Sequence, residues 1–191
     1  MLDTLKDWLG TFWKILVSPT PKTFLAEAKK AHGKSTSGLG RLVFYAIYLY
    51  ALTNIVNGPT SFVTLITVVI LLPLAVVLLT SAMHYSYQRI AHRRDYLFDG
   101  LLYLTIAILV PLQFIFALAA LLLPGGVAAI VLFLLLVYQA VLLAFALKTL
   151  AKIEYWQALL SVLIAIIAAI LVSGVVVLLI YTTVANPGVT R

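Results

Sequence analysis

The sequence predicts an all-α fold: a polytopic membrane protein, with a bundle of five transmembrane helices preceded by an amphipathic interfacial helix. Three observations predict it. Hydrophobic residues make up 64% of the chain and charged residues 10%, with a mean hydropathy of +1.14. Soluble domains hold about half apolar and a quarter charged residues. Long apolar runs recur between short polar or Pro/Gly breaks, and most reach the roughly 20 residues needed to cross a bilayer. Once those runs are threaded through a membrane, twelve of the thirteen lysines and arginines fall on one side.

A chain of 191 residues makes one membrane domain, 42–191, after an amphipathic and basic N-terminal region, 1–41. There is no cysteine, which excludes disulfides, thiolate nucleophiles and Cys-ligated zinc or iron–sulfur sites. The net charge of +7 does not point to nucleic acid. The basic residues flank the apolar runs, where they set topology and meet anionic headgroups. The partners expected are therefore the lipid bilayer and other membrane proteins.

Residues 1–17 form an amphipathic helix, with Leu5, Trp8, Leu9, Phe12 and Leu16 on one face and Asp3, Asp7, Gly10 and Lys14 on the other. It is too short and too charged to span, and acids and lysines interrupt any signal-peptide core. Trp8, Phe12 and Trp13 suit the headgroup boundary, and the same face would also suit packing against the protein's own bundle. Pro19 and Pro21 break the helix. Thr20 then caps a second short helix from Pro21 to about His32, with Phe24, Leu25 and Ala28 on one side. The linker Gly33–Gly40 is flexible by composition. Its Gly-Lys-Ser is not a P-loop, because Ala28 stands where the earlier glycine belongs and no strand precedes it.

The spans are placed at about 42–57, 62–87, 96–123, 127–147 and 156–184, with Pro73 and Pro111 near the middle of the second and third. Seven lysines and arginines precede the first span. Arg89, Arg93 and Arg94 lie between the second and third, and Lys148 and Lys152 between the fourth and fifth. The positive-inside rule then puts the N-terminus in the cytoplasm and the C-terminus outside. Arg89, Arg93, Arg94, Lys148 and Lys152 join Trp8, Phe12 and Trp13 as candidate membrane-interface residues.

The stretch Met83–Gly100 carries most of the candidate chemistry. A helix continuing past Tyr87 would align His84, Gln88 and His92 in one column and Tyr85, Arg89 and Arg93 in the next. Histidines eight residues apart are about 12 Å apart along a helix, too far to share a metal. His84 is expected to bond a neighbouring helix near the interface. Asp95 is expected to cap the third span, with Asp99 one turn inside it and paired with Arg93, Lys148 or Lys152. His84 and Asp99 are together a candidate buried polar pair. No chain of ionisable groups crosses the bilayer, as a pump or proton-coupled transporter would need. No serine faces His84 from another helix with a Gly-rich turn, and no second acid joins Asp99 at depth. No catalytic residue, metal ligand or cofactor is expected. The fifth span instead repeats Ser161, Ala165, Ala169 and Ser173 every fourth residue, a small-residue face for close helix packing.

In order, Trp13–Phe24 (WKILVSPTPKTF), His84 before a basic loop, Tyr103 leading to Pro111, and Phe145–Leu163 (FALKTLAKIEYWQALLSVL) form a pattern. With it the chain resembles the Yip domain family, five-span membrane proteins related to the Rab-interacting factors of eukaryotic secretory membranes. The resemblance implies a non-enzymatic role in membrane shaping, trafficking-like organisation or scaffolding, and supplies no catalytic residues. The chain lacks the long polar N-terminal region of eukaryotic members. That speaks against a Rab-type GTPase partner and for a prokaryotic inner or plasma membrane. Two other readings stand beside it: an accessory subunit of a larger energy-transducing or pigment-bearing complex, and a transporter or channel.

Overall fold

The computed structural model describes residues 2–29, 62–92 and 97–180, with scattered positions between 43 and 54. Every element among these is a helix: α1 Leu2–Val17, α2 Pro21–Lys29, α3 Phe62–Ile90, α4 Phe98–Leu122, α5 Gly125–Ala151 and α6 Tyr155–Ile180. Among the described residues, three helical stretches are long and apolar enough to cross a membrane: Phe98–Leu122, Gly125–Ala151 and Tyr155–Val172. α3 coincides with the expected second span. The expected first span falls mostly outside the described residues. Its described positions are helical, and there the Tyr48 ring lies 4.4 Å from that of Phe114.

Local chemistry sets the boundaries. Thr20 caps α2 as expected, its hydroxyl oxygen accepting the Thr23 amide at 3.2 Å, with Pro21 in the first helical position. Pro124 opens α5, and its carbonyl accepts the Ala128 amide at 2.8 Å. Lys152 ends α5 in the left-handed conformation, at φ 50°. Glu154 then precedes α6, and Gln157 three residues on reaches back to accept the Glu154 amide at 3.2 Å. That bond is half of a capping box.

The core is a layered bundle in which α6 packs against α3 and α5, and α4 against α3 and α5. α1 and α2 lie on α4, and α2 also reaches α5. α4 is divided along its length. Every residue from Leu101 to Leu112 is buried, whereas Ile115, Leu118, Leu121 and Leu122 are exposed. α1 and α2 pack on α4 in addition to α3 and α5. Two buried hydroxyls of the bundle bond within their own helices: Thr80 to the Val76 carbonyl and Thr105 to that of Leu101, both at 2.8 Å. This satisfies each hydroxyl without a partner helix.

Candidate functional site

One end of the bundle brings together the C-termini of α3 and α5 and the N-termini of α4 and α6. Arg89, Lys148 and Lys152 lie there, and it is called the basic end below. The α1–α2 hairpin is docked beside it. The α1 face has three sectors rather than two. Thr11 and Ile15 turn inward and are buried. Leu9, Trp13 and Val17, one turn apart, are left open at 58, 70 and 58% exposure. Asp7 and Lys14 occupy the remaining, polar sector and are exposed, as is Lys6 beside the open column. One of the two placements weighed for this helix, packing on the protein's own bundle, is thus realised along one edge, and an apolar column is left open.

α2 fixes the hairpin's depth. Phe24 is buried and meets the Phe145 ring edge-on at 5.6 Å. The α2 helix passes close to α4 at Gly100, where an added Cβ would come 3.6 Å from that of Ala28. Between these contacts lies Glu27, 3% exposed, whose carboxylate accepts a hydrogen bond from the Thr11 hydroxyl at 3.3 Å. Thr11 is itself 4% exposed. Sequence reasoning missed this pair. The available signal was that Glu27 shares the Phe24–Ala28 face of α2 at helical spacing. Nearer the turn, the Tyr138 hydroxyl of α5 donates to the Leu16 carbonyl and ties the end of α1 to the middle of α5.

The Met83–Gly100 stretch differs from expectation in four respects. α3 ends at Ile90 and His92 takes a positive φ of 50°, so the His84 column stops at Gln88. His84 bonds within its own helix, its Nε2 lying 3.1 Å from the Gln88 amide nitrogen. The roles in that contact follow the imidazole tautomer, which also sets what the other ring nitrogen, Nδ1, carries. That Nδ1 is buried with no hydrogen-bond partner. The contact with a neighbouring helix is aromatic instead: the imidazole meets Phe98 of α4 edge-on at 5.8 Å and Tyr87 at 5.2 Å.

The other two differences concern the acids. The cap position of α4 is Leu97, with no side-chain bond, rather than Asp95, which lies outside the described residues. Asp99 consequently sits in the first turn of α4 and is exposed. It is not the buried partner of His84. An acid in a first turn needs no counter-ion, because the amide end of the helix dipole favours it.

The remaining candidates divide simply. Arg89 donates to the Tyr85 hydroxyl at 3.0 Å and lies over the same ring at 5.1 Å, as the Tyr85–Arg89 column predicts. Lys148 stands 5.9 Å over the Tyr155 ring, and Lys152 is exposed. Trp8 and Phe12 are half-buried, while Trp13 is exposed. Arg93 and Arg94 lie outside the described residues, as does the side chain of Ser173. On α6, Ser161 and Ala165 are fully buried and Ala169 packs against the core. The small-residue face is therefore turned into the protein's own bundle, and Ser161 donates to the Gln157 carbonyl at 2.7 Å. Among the described residues no three His, Asp or Glu side chains are grouped closely enough to hold a metal. No family model, curated protein or solved structure matches this chain.

Proposed function

We propose that the protein is a non-enzymatic, Yip-like integral membrane protein that organises or scaffolds other membrane proteins. In this reading the basic end faces the cytoplasm of a prokaryotic cell. One observation carries the proposal: the broad apolar surface along α5 and α6 that the bundle itself does not use. Ile130, Phe133, Leu134 and Val137 on α5 are exposed, as are Leu163, Ile167, Ile170 and Leu171 on α6. The small-residue face of α6 is occupied internally, so a partner would meet these larger side chains.

Photo-crosslinking groups placed in cells at Phe133 and Ile167 test the reading. Cross-links to a defined membrane protein are expected, and co-purification in mild detergent should retain it. A monomer cross-linked to lipid alone at both positions overturns the reading, and stoichiometric retention in one large complex would identify an accessory subunit instead. Because the chain has no cysteine, a single Lys152→Cys substitution tests orientation. An impermeant maleimide should label it only in inside-out vesicles.

A further inference from the structure

Between α1 and the middle of the bundle lies a cavity of about 820 Å³, bounded by Trp8, Phe12 and Trp13 on one side and by Pro111, Phe114 and Leu135 on the other. Its size falls within the roughly 300–1,000 Å³ of small-molecule pockets, yet its walls are almost wholly apolar. The Tyr138 hydroxyl, the chief polar group of the lining, is already committed to the Leu16 carbonyl. Water gains little by filling such a space, whose walls offer it almost no hydrogen bonds.

Depth identifies what does. α4 has 25 residues, about 37 Å of helix, against about 30 Å of hydrocarbon. It can overhang by only about 7 Å. Pro111 is roughly 16 Å from one end of α4 and 20 Å from the other, so it lies at least about 9 Å inside the hydrocarbon however the helix is offset. Tyr138 is about 20 Å from either end of α5 and is at least as deep. The cavity continues into exposed apolar surface on both flanks, with Leu9, Trp13 and Val17 of α1 beside it and Leu134 and Val137 adjoining Leu135 and Tyr138. An opening at this depth, lined this way, meets hydrocarbon.

We propose that this groove holds an acyl chain of a membrane phospholipid, so that α1 is seated on the bundle partly through lipid. The inference requires only that α4 and α5 cross the bilayer, and it is independent of the scaffolding role. Two Gly10 features make the site testable: it lines the groove, and a Cβ there would meet nothing within 4 Å. Gly10→Leu fills the groove from the α1 side while improving helix propensity. Ile115→Trp fills it from an exposed position on α4.

The full chain is reconstituted in phosphatidylcholine vesicles containing a phospholipid with a diazirine near the middle of one acyl chain. After photolysis, lipid adducts are mapped by mass spectrometry. Adducts are expected on Trp13, Phe114 and Leu135. Either filling variant, by excluding two or more methylenes, should lower them roughly tenfold and leave adducts on outward-facing Phe133 unchanged. Adducts that fall equally at Phe133 and the groove, or that persist in both variants, overturn the proposal. So does the finding that the groove residues cross-link to a second copy of the chain or to another segment of the same one.

Discussion

Replacing Thr11 by valine removes one donor from a carboxylate that is almost inaccessible to solvent. The two side chains have nearly the same shape, so packing changes little and the loss is electrostatic. A hydrogen bond to a charged group contributes about 1.5–3 kcal/mol. The contact is long at 3.3 Å, which puts Thr11→Val near the lower end, at about 1–2 kcal/mol. The pair joins α1 to α2, so the cost should appear as local opening of the hairpin rather than loss of the bundle. In detergent or nanodiscs, amide exchange across residues 2–29 should rise roughly 5- to 30-fold. Exchange in α5 and α6 should hold.

Glu27→Gln keeps an oxygen for Thr11 to donate to and should be milder. Unchanged exchange in Thr11→Val would refute the idea that the Thr11–Glu27 bond holds the hairpin.

Three further outcomes follow from the same contacts. Tyr138→Phe leaves the Leu16 carbonyl without its donor; it should cost about 0.5–1.5 kcal/mol and speed exchange selectively in the last turn of α1. Thr20→Ala removes the cap of α2 and should cost about 1 kcal/mol, seen first as faster exchange of the Thr23 amide. Ala165→Leu forces extra methylenes into the fully buried face of α6 and should destabilise the bundle by about 1–3 kcal/mol, read as a lower thermal midpoint in detergent. An unaffected Ala165→Leu midpoint would mean that this face is not a tight helix contact.

The long elements were legible because each rests on a one-dimensional signal. Pro21, Pro124 and the apolar runs place α2, α4, α5 and α6 to within a few residues. The four-residue repeat from Ser161 marks the buried side of α6. What stayed hidden depends on contacts between elements. The apolar face of α1 is compatible with lipid and with protein, and only the docked neighbour divides it into buried Ile15 and exposed Trp13. Glu27, among the lysines of the N-terminal region, has the pattern of a solvated acid; its burial depends on Thr11 across the Pro19 turn. α3 ends within a few residues of the expected 87, although neither glycine nor asparagine marks the stop. His92 adopts the left-handed conformation that those residues would advertise. Starting α4 at Phe98 places Asp99, supposed to be buried, in a favourable first turn.

The half-buried course of α4 explains why the hairpin matters to the whole molecule. Leu101–Leu112 is apolar nearly all round, and a helix of that kind must be enclosed or face lipid on every open side. α3 and α5 pack on part of it and α1 with α2 on more, whereas Ile115, Leu118, Leu121 and Leu122 beyond it are exposed. Opening the hairpin would therefore expose the buried half of α4 next to the basic end. It would also uncover Phe24 and Glu27 together. The Thr11–Glu27 bond, the Tyr138–Leu16 bond and the Phe24–Phe145 contact all oppose that single movement, from three different points along the hairpin. Loss of any one should accordingly weaken the same local equilibrium. Combinations of Thr11→Val and Tyr138→Phe, whose sites share no partner, should add to within a few tenths of a kcal/mol. A combined effect well short of the sum would mean that the two ends of the hairpin open separately, and that α4 is covered by two independent patches rather than by one.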